Sequence, residues 1–321
     1  MCYSAQVVQW ISTLRRELGV RLDYAEAERL YRQRLDENGI TIARGFDANF
    51  ADDGDPAGAG VREAVARFRA QSAARLEEEL ATQTARLAAA QRLLAVRTTK
   101  RALDEVRIAT KKIASLTDKL TELGRAAPMP RDNRIFPRYH CGVIVQRDGI
   151  NWLTPMRYGC RPAAQPASVD QKYPGLYNAR RDNLTRFWRE EFGRCHAVLV
   201  VERFYESVAV HLTEHRPLAA GEAERSVVLR FAPEPPELML VACLWSRWTR
   251  PGEADLLSFA AITDSPPPTV AAAGHDRCII NLRPEHVPAW LTPEGRSDEE
   301  LQAILGAPRL PTYRHSVAEA A

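Results

Sequence analysis

The hydrophobic pattern of this 321-residue chain changes character near its middle. From residue 61 to residue 123 there is neither glycine nor proline, and Ala, Leu, Glu, Arg and Lys dominate. Apolar side chains recur at helical intervals, at Val61, Val65, Phe68, Leu76, Leu80, Leu87 and Leu94, and again at Leu103, Val106, Ile113, Leu116 and Leu120. Such spacing predicts amphipathic helix. A single straight helix over this span would be about 95 Å long at 1.5 Å per residue. Two antiparallel helices turning near Thr98-Thr99-Lys100 bury both apolar stripes against each other, so a hairpin is expected. Ahead of it, residues 52–58 carry a loop signal rich in Asp, Gly and Pro, and residues 24–35 read as a shorter helix. Residues 124–137, punctuated by Pro128 and Pro130, close the segment.

Beyond Pro137 the apolar runs shorten to strand length. Residues 141–146, 197–201, 227–231, 238–244 and 259–263 are rich in β-branched and other apolar residues and bounded by turn formers. Helical spacing returns over 183–192 and after Asp298. The expected architecture is α+β, with a compact, mostly antiparallel β core, peripheral helices and an inserted long helical hairpin. Residues 1–21 and 131–321 are assigned to a catalytic domain, and 22–130 to a helical, coiled-coil-like insertion through which the chain could self-associate. The sequence contains no internal repeat and no low-complexity tract.

Composition narrows the class. Hydrophobic residues make up 45% and charged residues 26%, ordinary values for a globular protein. No apolar run approaches the ~20 residues of a membrane span, and the first residues lack the pattern of a secretory signal. A cytoplasmic protein is expected, with no membrane partner. The six cysteines form no CxxC pair, which in a reducing compartment favours free thiols over bridges. His140-Cys141, and His275 with Cys278, are too sparse for a zinc site; neither a metal nor another cofactor is expected. A net charge of +3 does not by itself indicate nucleic acid, although a local basic groove is compatible with it.

Position 2 holds unusual chemistry. Removal of Met1 would leave Cys2 with an α-amine and a thiol on one carbon skeleton. Such an aminothiol condenses with an aldehyde to an imine, and the thiol then closes a thiazolidine. The α-amine, with an ordinary pKa of about 7.7–8.0, is partly unprotonated near neutrality.

Four further patterns stand in the second half: Tyr158-Gly159-Cys160-Arg161-Pro162; Asn178-Ala179-Arg180-Arg181-Asp182-Asn183; Arg194-Cys195 leading to Arg203-Phe204-Tyr205-Glu206; and Gly274-His275-Asp276-Arg277-Cys278-Ile279-Ile280. With Cys2 in front, this order resembles the SRAP family, the SOS-response-associated peptidases also described as abasic-site processing proteins. The resemblance covers the first four residues and roughly 158–291. Tyr158 stands where the family has Trp, Asp182-Asn183 where it has Glu-Thr, and Ser207 where it has Trp. Arg161, Cys278 and the pair Ala163-Ala164 also depart from the common pattern. The long insertion is not part of the family's minimal domain.

The resemblance implies a DNA-damage response protein that binds single-stranded DNA and links Cys2 covalently to the aldehyde of an abasic site. It would be nucleoid-associated when bound to DNA, and β-elimination from the imine would give an associated lyase activity. On that basis Cys2 is the nucleophile, Asn178 positions the terminal residue and the sugar, and Glu206 and His275 move protons. Arg180 and Arg186 hold phosphates. The residue types suit these tasks. Imine formation needs one proton removed and another delivered, which a carboxylate and an imidazole can do together. Arginine forks suit phosphates. Plainer roles stay open from the residues alone: Asn178 as an N-cap, Glu206 as a strand-end carboxylate, His275 as a surface or capping histidine, and the arginines as a helix face paired with Asp182, Glu190 and Glu191. Two other functions also stay open, a cysteine peptidase limited to releasing Met1 and a non-enzymatic coiled-coil scaffold.

Overall fold

The computed structural model describes residues 4–37, 39–50 and 55–318; Cys2 and residues 52–54 of the loop expected at 52–58 lie outside them. The chain divides into two compact units, Met1–Leu30 with Gly39–Asp53 and Met129–Ala321, and Tyr31–Asn38 with Gly54–Pro128. These boundaries differ from the expected insertion at 22–130, because residues 22–30 and 39–53 cluster with the sheet.

Among the described residues the first unit contains, in chain order, β1 (Ser4–Val7), β2 (Arg21–Leu22), β3 (Thr41–Ile42), β4 (Arg134–Ile135), β5 (Tyr139–Arg147), β6 (Ile150–Tyr158), β7 (Asn178–Arg180), β8 (His196–Ala209), β9 (Ser226–Pro233), β10 (Met239–Trp248), β11 (Leu256–Asp264), β12 (Cys278–Ile279) and β13 (Tyr313–Val317). The path β8-β10-β11-β6-β5 closes on itself through pairing of Ile144 with Val198, giving a barrel-like core. Its ladders are antiparallel except for β11 with β6. Closure removes edges that would otherwise expose unpaired backbone groups. The interior is filled by alternate side chains, among them Val143, Met156, Leu199, Phe204, Phe231, Val241 and Phe259. Phe204 stacks on Phe231 at 5.0 Å between ring centroids, and Tyr158 on Phe259 at 5.2 Å. Tyr158 is therefore a core residue, 1% exposed.

Two helices, α1 (Ile11–Leu18) and α2 (Tyr24–Asp36), follow β1, and a single turn, α3 (Arg44–Asp47), follows β3. The second unit is dominated by α4 (Ala59–Val96) and α5 (Lys100–Gly124), packed as a hairpin. Ala90, Ala102, Ala109 and Leu116 are buried, and the alanines allow close approach of the two backbones. Arg86 bonds Glu105 across the pair, and Thr99 caps α5 by accepting from the Ala102 amide at 3.2 Å.

The segment 183–192 corrects one expectation. Leu184, Trp188 and Phe192 are buried at the predicted helical spacing. The backbone, however, forms a 3-10 turn at Arg181–Asn183 and then successive turns. The amide of Arg186 reaches the carbonyl of Asn183, that of Trp188 reaches the same carbonyl five residues back, and that of Phe192 bonds Trp188. Burial of one face is satisfied without a regular α-helical ladder.

Candidate functional site

Glu206 lies on β8, the longest strand. Its neighbours Phe204 and Val208 point into the core, and Glu206 shares their side of the strand, which leaves its carboxyl fully buried. On one flank β8 pairs with β9, Glu206 standing opposite Leu229. On the other it pairs with β1, Ser4 standing opposite Tyr205 and Ala5 opposite Phe204. The first described residue of the chain thus sits one position from Glu206 in the ladder.

β4 pairs with the outer flank of β1, Ala5 opposite Ile135. Arg134 places its guanidinium over the Tyr205 ring at 3.8 Å and donates to the Ser4 hydroxyl from both Nε and a terminal nitrogen at 3.3 Å. This clamp joins β1, β4 and β8. The sequence patterns did not single out Arg134, which lies outside every motif.

His275 arrives from a separate loop. Gly274 before it has φ 90°, and a Cβ there would stand 2.9 Å from Leu212 Cβ and 3.1 Å from Val208 Cγ1. Only glycine allows the loop to lie this close to the end of β8 in that conformation. His275 Nε2 is then 3.4 Å from Glu206 Oε2, with both side chains buried. Its Nδ1 lies 2.8 Å from the Arg277 carbonyl oxygen. The Arg277 backbone N–H in turn donates to Nδ1 at 3.3 Å, and Nε2 faces the Glu206 carboxyl, an arrangement through which a proton can pass between the two side chains. Burial lowers the pKa of His275 below its ordinary value, which favours the neutral imidazole.

Asn178 begins β7 and pairs in parallel with Ala261 of β11; it is a strand residue and caps no helix. Its amide is buried, and neither side-chain atom has a hydrogen-bond partner among the described residues. Two residues on, Arg180 pairs with Thr263, and the Arg277 side chain donates to the Thr263 carbonyl at 3.3 Å. The end of β7 and the His275 loop therefore meet at the C-terminal end of β11. Arg180 also feels the charge of Asp276, and Asp182 that of Arg277.

The structure brings Glu206 and His275 into contact and anchors the Asn178–Arg180 strand beside the loop that carries His275. The arginines divide by partner. Arg180 bonds Asp182 at 2.6 Å on an exposed surface, Arg181 is fixed by Asp264 and Gln302, and Arg189 and Arg194 pair with Glu190. Arg186 is exposed and has no ion-pair partner among the described residues. Arg161, at a family-divergent position, bonds Asp170 and lies over Trp248.

Burial raises the thiol pKa of all five described cysteines. Cys195 is pushed up to about 11, and the buried Cys278 is raised further by the neighbouring Glu206. None is an activated thiolate. No group of three or more metal-ligating side chains occurs among the described residues, and no helix among them is long and apolar enough to cross a membrane.

A barrel-like α+β protein with a buried carboxyl–imidazole pair beside its N-terminal strand is the class that fold and site define. Residues 96–318 match the family described as SOS response associated peptidase (SRAP), and the chain belongs to that family. The match begins well after Cys2 and β1. No curated protein matches the chain. Among solved structures, a protein from Bacteroides thetaiotaomicron is 17% identical, with a TM-score of 0.43, over 54% of this chain and 71% of that one. A Bordetella bronchiseptica protein is 18% identical, with a TM-score of 0.46, over 61% and 90%. A phage-related protein of the same organism is 19% identical, with a TM-score of 0.44, over 58% and 81%.

Proposed function

We propose that this SRAP-family protein processes abasic sites in single-stranded DNA through a covalent bond to Cys2. The observation that carries this reading is the buried Glu206–His275 pair, 3.4 Å apart, beside the strand that leads directly from the N-terminus. Two peptide units separate Cys2 from Ser4, a reach of about 7 Å. With Met1 removed, the α-amine attacks C1′ of the ring-opened sugar to give a carbinolamine. Loss of water leaves an imine, and addition of the thiol to the same carbon closes the thiazolidine. The net reaction releases one water. The Glu206–His275 pair takes the amine proton and delivers a proton to the departing hydroxyl.

Asn178 has its amide uncommitted and suits hydrogen bonding to the sugar or the terminal residue. Arg180 and Arg186 serve phosphates; the exposed Arg180–Asp182 pair is weak enough for a phosphate to displace the carboxylate. Unpaired DNA is the suited substrate, since an unstacked sugar reaches a fixed amine without the cost of opening a duplex. β-Elimination from the imine would add a strand-cleaving lyase activity.

The test is to incubate protein lacking Met1 with an oligonucleotide carrying one abasic site and resolve the products on a denaturing gel. A shifted band that disappears in Cys2→Ala is expected. Absence of the band from the wild type, or its persistence in Cys2→Ala, defeats the reading. The peptidase in the family name has a narrower counterpart here, the release of Met1 in cis, because the described cysteines are all held as thiols. Intact mass after expression without methionine aminopeptidase separates that activity from ordinary trimming.

A further inference from the structure

We infer that the closed end of the α4–α5 hairpin is a docking site for an acidic, apolar peptide segment of a partner protein. The inference is independent of the abasic-site chemistry. Leu93 and Val96, in the last turn of α4, are 64% and 88% exposed, and Leu103, in the first turn of α5, is 52% exposed. Elsewhere the hairpin directs Ala90, Ala102, Ala109 and Leu116 inward, so these three aliphatic residues are excluded from the packing that forms the hairpin.

The charges around them are one-sided. Residues 80–103 contain no carboxylate. Arg92, Arg97, Lys100 and Arg101 are exposed at the tip, and none makes a salt bridge among the described residues. The nearest carboxylates are engaged, Asp104 with Arg107 at 3.5 Å and Glu105 with Arg86. The tip therefore offers aliphatic surface ringed by cations that make no salt bridge among the described residues; of the four, Arg101 feels the charge of a carboxylate, that of Glu105.

This combination selects among occupants. Tip-to-tip pairing of two copies would oppose like charges. A single strand of nucleic acid would use the cations but has little use for exposed aliphatic side chains, and the only aromatic residue in the hairpin helices is Phe68, far from the tip. A peptide carrying carboxylates next to aliphatic or aromatic side chains uses both features: apolar burial supplies affinity, and complementary charge supplies steering and selectivity.

Random peptides displayed on phage, selected on the full-length protein and counter-selected on a Val96→Ser/Leu103→Ser variant, test the inference. Enrichment of Asp and Glu together with Leu, Ile or Phe is expected. A resynthesised winner should bind the wild type and lose about tenfold or more in affinity on that variant and on Arg97→Glu/Lys100→Glu. All four positions are exposed, and circular dichroism verifies that each variant keeps its helix content. Selected peptides without acidic enrichment, or affinity unchanged in either variant, overturn the inference. So does tip-dependent binding of an intact single-stranded oligonucleotide, or a tip-dependent dimer in sedimentation, when no peptide binds.

Discussion

Replacing Glu206 separates its part in holding the fold from the proton transfer proposed for it. Its carboxyl is fully buried and faces His275 Nε2 at 3.4 Å. Glu206→Ala leaves an imidazole without its partner and a void in the core, a change that costs about 3 kcal/mol. Glu206→Gln is nearly isosteric. Its amide can donate to Nε2 while Nδ1–H donates to the Arg277 carbonyl, so the loss of stability should stay within about 1 kcal/mol. Gln cannot exchange a proton, and both variants should crosslink an abasic oligonucleotide about 10²–10⁴-fold more slowly than the wild type. Urea denaturation and single-turnover crosslinking on the same preparations supply the two readouts. If the two groups work as one proton-transfer unit, combining Glu206→Gln with His275→Ala should cost little more in rate than either change alone. Wild-type rates in Glu206→Gln, or additive rate losses in the double variant, would refute the proposed joint proton transfer.

The neighbouring structure yields three more tests. Gly274→Ala forces a Cβ into Leu212 and Val208 at a positive φ and should destabilise by about 2–4 kcal/mol in urea, with a loss of crosslinking. Burial pushes the Glu191 carboxyl from 4.5 up to about 7. The folded state then holds a proton that the unfolded state has lost between those values, so stability falls as pH rises from 4.5 to 7, by at most about 3 kcal/mol. Glu191→Gln should remove that slope, gaining stability at pH 8 and little at pH 4; an unchanged slope in urea midpoints contradicts the assignment. His196 runs the other way, since burial lowers its pKa to about 3. Unfolded chains take up its proton below the ordinary value of 6.5, so stability falls as pH drops through that value, and His196→Gln should flatten this acid limb.

The helical hairpin was legible because its two apolar stripes keep period over many turns on either side of a turn expected near 98–100, one residue from the break at 97–99. Five of the longer strands were legible as short apolar runs. β6 was not, because Asn151, Thr154, Pro155 and Arg157 interrupt its apolar sequence, and only closure of the barrel makes it a central strand. At 183–192 the buried positions were readable and the backbone was not, since side-chain spacing records which face is covered and leaves the hydrogen-bond register open. The candidate site was legible as a set of motifs in order. What joined Glu206 to His275 was invisible, because it depends on Gly274 seating one loop against the end of another element. Arg134 carried no signal at all: its role comes from β4 pairing with β1 across more than a hundred residues of intervening chain.

That long-range pairing bears on how a site next to a chain terminus can be ordered. Terminal residues are ordinarily poorly fixed unless tied into a sheet. Here β1 is paired on both flanks, with β8 inside and β4 outside. β4 is where the chain returns after the helical unit, so everything between residues 8 and 133 is an excursion closed by the β1–β4 ladder. Loop-closure entropy grows only as the logarithm of loop length, each doubling costing about 0.6 kcal/mol. A large inserted unit therefore adds little penalty to closing the ladder. The Arg134 clamp on Ser4 and Tyr205 adds a contact that can form only when that excursion has closed. The register shift between Gln6 and Val7 confines the irregularity of β1 to its inner end, which leaves Ser4, Ala5 and Gln6 in unbroken register with Tyr205, Phe204 and Arg203. The strand leading from the N-terminus is thus fixed relative to Glu206 by backbone pairing, and a nucleophile carried at position 2 would need to order only the residues ahead of Ser4.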